Sequence, residues 1–291
     1  MSDPLVDRIT AWARAHDQVH AALLTSTRAR PGAVLDPLSD YDIVLGVEAV
    51  RPFFTDRGWL EHFGRVLVLY RDPLRRVCGY ERFTYVNQYE PHKIDFTVME
   101  TGLLRDLPAS CALRDELDMG WRVLYDARGL TLPDPTYSAY MLRPPTEARY
   151  HEAVETFLHE ATYVAKNIWR DELLPAKYSF DHVMKQKLLR HMLEWHAGST
   201  QGWTYTPGVV GRGLKQHIRA DWWQQLESTY TGADAGASWA ALFRLLDLHR
   251  QVAESVADAL GFTYPDEMER RLRAYLHGVR ALPLDARPRC G

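Results

Sequence analysis

Asp40, Asp42 and Asp95 constrain this chain more than any other feature, because each lies in a short apolar run that reads as a β-strand. The first two occur in Ser39-Asp40-Tyr41-Asp42-Ile43-Val44-Leu45, the third in Lys93-Ile94-Asp95-Phe96-Thr97-Val98. A strand's side-chain period of two puts Asp40 and Asp42 on one face. A neighbouring strand that brings Asp95 beside them gathers three negative charges, which is costly unless a hard cation such as Mg2+ neutralises them. An Asp-X-Asp pair alone is common on solvated strands. It gains weight here from the hydroxyl-rich turn Thr25-Ser26-Thr27 ahead of it, and from Asp95 standing in an otherwise apolar strand where an unpaired charge is expensive. The competing reading of Asp95 is a buried partner for an arginine or lysine.

Around these residues the sequence reads as an α+β half. Leu5, Ile9, Trp12 and Val19 recur near helical spacing, which predicts an amphipathic helix from Asp3 to about His20. A strand follows at Ala21–Thr25, then a loop to Ser39 punctuated by Arg28, Arg30, Pro31, Gly32 and Pro37. Further strands are predicted at Arg65–Tyr70, Arg82–Asn87, Lys93–Met99 and Trp121–Tyr125, all rich in β-branched, aromatic or other apolar residues. A helix first and several strands after it argue a mixed sheet flanked by helices, not a repeated βαβ array.

Pro133, Pro135, Pro144 and Pro145 interrupt regular hydrogen bonding, so the segment from Gly129 to Pro145 is the expected linker. The expected domains are residues 1–143 and a helical bundle over 144–291. In the second, Thr146 is a candidate N-cap, and Val154, Phe157, Leu158, Ala161, Ala165 and Ile168 form one apolar stripe. Two domains also suit a length of 291 residues, since single cores stop growing at roughly 250–300.

Several function classes are disfavoured. A formal net charge of -3 offers no basic field for general nucleic-acid binding. Cys78, Cys111 and Cys290 are widely separated and odd in number, which gives neither a zinc spacing nor a disulfide framework and fits a reducing cytoplasm. No signal sequence or membrane-length apolar stretch is present, so a cytoplasmic protein with no membrane partner is expected. The aromatic residues Trp203, Tyr205, Trp222 and Trp223 are expected to pack, with stacking on a sugar or base as the alternative.

Taken together, the separated motifs resemble the aminoglycoside 6-adenylyltransferases, the streptomycin-modifying branch of the polymerase-beta-like nucleotidyltransferases. The resemblance spans most of the chain. It is carried by Ser26-Thr27-Arg28, Ser39-Asp40-Tyr41-Asp42-Ile43-Val44 and Lys93-Ile94-Asp95-Phe96-Thr97 in the first half. In the second half Thr162-Tyr163-Val164-Ala165-Lys166, Ala176-Lys177-Tyr178-Ser179-Phe180-Asp181, Ser228-Thr229-Tyr230 and Leu260-Gly261-Phe262-Thr263-Tyr264-Pro265 carry it.

The resemblance implies transfer of AMP from ATP, with Mg2+, to a hydroxyl on the streptidine ring of streptomycin. On residue-by-residue matching, Asp40, Asp42 and Asp95 are the metal-binding carboxylates. Ser26, Thr27 and Arg28 handle the nucleotide phosphates, and Lys177 and Tyr178 serve the nucleotide from the helical half. Asp95 and Asp181 are the two candidates for the base that activates the acceptor hydroxyl. The bland reading of Lys177 and Asp181 is an i,i+4 ion pair.

Where the family usually has Gly-Ser before the arginine, this chain has Ser26-Thr27. That departure keeps two alternatives open: a different acceptor, or a nucleotide-binding regulatory protein without turnover. Oligomeric state is not legible.

Overall fold

A computed structural model describes residues 3–204 and 206–286, so Tyr205 and Cys290 lie outside the described residues. The chain divides into two compact units, Met1–Tyr140 and Met141–Gly291.

The first unit opens with α1 (Pro4–Ala15), capped by the Asp3 carboxylate, which accepts from the Leu5 and Val6 amides. The helix ends earlier than its apolar spacing predicts because Val19 is taken by a strand, where it pairs with Val47. Strands β1 (Val19–Thr25), β2 (Tyr41–Val47), β3 (Val66–Arg71), β4 (Arg75–Val77), β5 (Tyr80–Tyr89), β6 (Lys93–Glu100) and β7 (Trp121–Asp126) form one sheet. Their order is β3-β5-β6-β2-β1-β7, with β4 also on β5. Neighbours are antiparallel except β2 and β6, which run parallel in a register that sets Asp42 opposite Asp95. The sheet is thus mixed and flanked by helices, as the sequence pattern predicts.

Alternation divides the sheet into two faces. Ile43, Leu45, Ile94, Phe96 and Val98 join a core closed by α1, by α2 (Val50–Thr55) and by the aromatic turn around Trp59 and Phe63. Leu23, Val44 and Met99 face the other way, under α3 (Thr101–Asp106) and α4 (Leu113–Asp118). Both helices are only six residues long. Their cover therefore stops short of the strand ends, and a pocket bordered by Asp42, Asp95, Thr97, Glu116 and Ser26 opens there.

The second unit is all-helical among its described residues. Thr146 accepts from the Arg149 amide and caps α5 (Glu147–Trp169), as predicted. A continuous helical run follows: α6 (Leu173–Lys177), a π-helical stretch (Tyr178–Leu189) and α7 (Arg190–Thr200). After it come α8 (Ala220–Ser228), α9 (Ala235–Leu260) and α10 (Asp266–Arg280). Trp222 packs into this core and Trp203 against it. Buried Glu269 accepts from the Tyr264 hydroxyl at 3.0 Å, Arg250 at 3.1 Å and Arg273 at 2.7 Å, which ties α10 to α9. No described helix is long and apolar enough to cross a membrane.

His249 is the odd member of that core. It is 1% exposed, stacks on Phe157 with ring centroids 3.6 Å apart, and neither ring nitrogen has a hydrogen-bond partner. Burial pushes its pKa down to about 3. Between that value and the ordinary value near 6.5 the unfolded chain binds a proton that the folded chain refuses, so this residue's stability contribution is present above pH ~6.5 and lost as the pH falls. Urea unfolding of wild type and His249→Phe should therefore diverge in favour of the variant by about 1.4 kcal/mol per pH unit below pH ~6.5. Parallel curves would show that His249 finds a proton acceptor in solution.

Candidate active site

The site is assembled from a turn, two parallel strands and one short helix, all in the first unit. β1 ends at Thr25, whose hydroxyl donates to the Asp42 carbonyl at 3.2 Å, and the chain then makes a 3₁₀ turn over Ser26–Ala29. Ser26 adopts φ +62, a left-handed conformation that costs an L-residue about 1–2 kcal/mol. Its amide donates to the Gly120 carbonyl at 2.9 Å. Gly120 itself has φ +116, and a Cβ there would stand 3.3 Å from the Arg30 backbone, so the turn and the Gly120 segment pack closely.

Arg28 is occupied by structure. Its Nε donates to the Asp40 carbonyl at 3.0 Å and its Nη2 to the Ser39 carbonyl at 2.8 Å, while the guanidinium lies 3.7 Å from the centre of the Tyr41 ring. Tyr41 in turn donates to Asp3 at 2.9 Å. Arg28 thus clamps the backbone that presents Asp40. Thr27 is exposed on the same turn and borders an adjoining pocket with Arg30 and Gly32.

The three aspartates do converge. Asp42 and Asp95 are register partners on adjacent strands, roughly 4.8 Å apart. Lys93, two residues before Asp95 and so on the same strand face, donates to Asp40 at 2.6 Å and to Asp95 Oδ2 at 3.1 Å. The sequence left open whether Asp95 belongs to a cation site or to a basic side chain, and the geometry divides the group between them. Oδ2 is paired with Lys93, whereas Oδ1 is buried without any hydrogen-bond partner.

Among the described residues no three His, Cys, Asp or Glu side chains stand ready-made around a metal position. The fit to Mg2+ rests instead on the bare Asp95 oxygen beside Asp42, hard carboxylate donors of the kind that ion prefers.

The charges behave as a crowded cluster. Burial, then the Asp95 and Asp40 carboxylates, push Asp42 up to about 6, against the lowering pull of Lys93 and of a hydrogen bond from Ser26. Burial likewise raises Asp95, with Lys93 opposing. Burial works against the Lys93 ammonium too, but its bonds to Asp40 and Asp95 outweigh that, and its pKa is raised. One ammonium faces three carboxylates, so the cluster keeps a net negative charge that favours a further cation.

In the helical unit the expected Lys177–Asp181 pair forms at 2.9 Å, the i,i+4 contact that the bland reading required. Sequence reading missed its second partner. Lys185, with its side chain fully buried, donates to the other Asp181 oxygen at 2.7 Å and to the Thr229 carbonyl at 2.7 Å. Its ammonium lies 3.9 Å from the Phe180 ring centre and 4.2 Å from that of Tyr230, so two of the separated motifs meet on one lysine. Tyr178 is exposed. In the first unit, Lys93 and Glu116 were also given no role from sequence. Lys93 carried a usable signal in its two-residue spacing from Asp95, whereas Glu116 carried none, because its bidentate pair with Arg82 at 3.0 Å joins distant elements.

Comparison with known proteins identifies the class of enzyme to which the chain belongs. A family model described as streptomycin adenylyltransferase matches residues 2–279. The chain belongs to that family of nucleotidyltransferases. It is 25% identical over 281 residues to an aminoglycoside 6-adenylyltransferase from Bacillus subtilis (strain 168), covering 94% of this chain and 96% of the relative. A Campylobacter jejuni protein of the same description is 27% identical over 263 residues, covering 89% of each. A crystal structure of an aminoglycoside 6-adenyltransferase from Bacillus subtilis aligns over 97% of this chain and 100% of its own at 22% identity, with a TM-score of 0.48.

The raised Asp42 pKa has a stability consequence. Between pH ~4 and ~6 the folded protein holds a proton that the unfolded chain releases, so the ionised carboxylate destabilises the ligand-free fold above pH ~6. Asp42→Asn should then be about 1–3 kcal/mol more stable than wild type at pH ~8 by urea unfolding, with the gain vanishing near pH ~4. A variant less stable at both values would mean that Asp42 is held by stronger partners than Ser26.

Proposed function

We propose that this protein transfers AMP from ATP to a hydroxyl of an aminoglycoside, with the 6-hydroxyl of the streptidine ring of streptomycin as the acceptor. The observation that carries the reading is the register pairing of Asp42 with Asp95 beside a hydroxyl-bearing turn and an open pocket. The family description and the relatives, named as aminoglycoside 6-adenylyltransferases, support the acceptor class.

On this reading Asp40, Asp42 and Asp95 hold Mg2+, which when bound supplies Lewis-acid polarisation of the transferred phosphoryl group. Thr27 offers its hydroxyl to the phosphates, Ser26 orients Asp42, and Arg28 keeps the Asp40 backbone in place. The family resemblance also assigns Lys177 and Tyr178 to the nucleotide. Of the two base candidates Asp95 is preferred, because each oxygen of Asp181 already accepts from a lysine.

The replacement of Gly-Ser by Ser26-Thr27 motivated an alternative reading as a regulatory protein without turnover. Ser26 adopts a left-handed backbone of the kind glycine favours and adds a hydrogen bond to Asp42, which supports the reading with turnover.

Incubation of the purified protein with ATP, Mg2+ and streptomycin should give a drug species heavier by one AMP. Asp95→Asn should lower kcat by about 10²–10⁴-fold and Asp181→Asn by less than about tenfold. An absence of adduct on every aminoglycoside of a panel would overturn the acceptor assignment, and the reverse order of the two variants would move the base to Asp181.

A further inference from the structure

Two arginines leave the turn after β1, and they differ in what holds them. Arg28 is occupied by the Ser39 and Asp40 carbonyls, whereas among the described residues no hydrogen bond or ion pair engages the Arg30 guanidinium. It lies instead 5.2 Å from the centre of the Tyr137 ring. An aromatic face steadies a planar guanidinium and leaves its fork of N–H donors free.

One short segment fixes this position. Asp118, the last residue of α4, accepts from the Thr136 hydroxyl at 3.1 Å and from the Ser138 and Ala139 amides at 2.7 and 2.8 Å. Both flanks of Tyr137 are thereby pinned, and the residue is held at φ +59. Met119 borders the Asp42 pocket and also the adjoining pocket lined by Thr27, Arg30 and Gly32. Gly120 accepts from the Ser26 amide and packs on the Arg30 backbone. The two cavities therefore adjoin along the turn, Ser26 bordering the first and Thr27 the second, with carboxylates in one and a free guanidinium in the other. A nucleoside triphosphate has the matching polarity, with a metal-bridged reacting phosphate at one end and a polyanionic tail at the other.

We propose that Arg30, together with the Thr27 hydroxyl, binds the β- and γ-phosphates of ATP and receives the departing pyrophosphate, the part that the sequence pattern gave to Arg28. This assignment deepens the adenylyl-transfer reading above and rests on it. In that transfer the acceptor oxygen bonds to the α-phosphorus while the bond from that phosphorus to the bridging oxygen of the β-phosphate breaks. The hydroxyl proton passes to Asp95, and the electron pair of the broken bond leaves on pyrophosphate. A fixed guanidinium beside the departing group stabilises the charge that grows there, in a bidentate geometry that an ammonium does not reproduce.

Calorimetric titration of the full-length protein with pyrophosphate, and with a non-hydrolysable ATP analogue, both with Mg2+ present, tests this. Arg30→Gln should weaken each ligand about 10–100-fold, and Arg30→Lys should recover part of the loss by keeping the charge. Both variants should melt close to wild type, because the guanidinium makes no hydrogen bond within the described fold. Wild-type affinities in Arg30→Gln, no pyrophosphate binding by the wild type, or a lowered midpoint with no recovery in Arg30→Lys would each overturn the assignment. Failure of the underlying reading looks different. Phosphate binding that depends on Arg30 in a protein that adenylates no aminoglycoside upholds Arg30 and removes the acceptor, whereas undiminished AMP transfer to streptomycin by Arg30→Gln removes Arg30 and upholds the transfer.

Discussion

The Lys93 ammonium, hydrogen-bonded to Asp40 and Asp95 together, is the interaction on which the site depends. A parallel pairing of β2 with β6 forces Asp42 and Asp95 side by side, and the Arg28 clamp delivers Asp40 to the same place. Without a cation the three carboxylates would repel one another across a partly buried space. Lys93 lowers that repulsion, while leaving one Asp95 oxygen bare and Asp42 with a raised pKa. The polypeptide stores an unsatisfied demand for positive charge, and the proposed cation site rests on it.

The rest of the first unit explains why that demand faces solvent. One side of the sheet is sealed by α1 and the Trp59–Phe63 turn with a dense aromatic core. The other side is covered by α3 and α4, which reach Val44 and Met99 and stop. The even-numbered positions of β2 and the odd-numbered positions of β6 run under this shorter cover, so Asp42, Asp95 and Thr97 emerge where it ends. In the helical unit, Lys185 answers a similar problem in a drier setting, with a carboxylate, a carbonyl and two aromatic faces around one ammonium.

Much of this was legible because it follows from local periodicity. Alternating apolar residues announced β2 and β6, the spacing of Asp40 and Asp42 indicated a shared direction, and Thr146 marked the start of α5. What stayed hidden depends on contacts between distant segments. Arg28 looked available to phosphate because its acceptors are carbonyls of Ser39 and Asp40, which no side-chain pattern reveals. The six-residue helices α3 and α4 are too short to show helical periodicity. Cys111 looked isolated until Val77 and Tyr80, which flank the β4–β5 turn, packed on the cluster that contains it. The π-helical stretch from Tyr178 to Leu189 carries no sequence signature at all.

The central claim is that the carboxylate cluster is a cation site whose occupancy depends on Asp42 being ionised. Electron paramagnetic resonance of Mn2+, a stand-in with the same preference for oxygen donors, measures this directly in the presence of a non-hydrolysable ATP analogue. Wild type should bind the ion at pH ~8 and lose it near pH ~5, where Asp42 is protonated, while Asp42→Asn should bind weakly at both values. Equal binding by wild type and Asp42→Asn across that range would contradict the account.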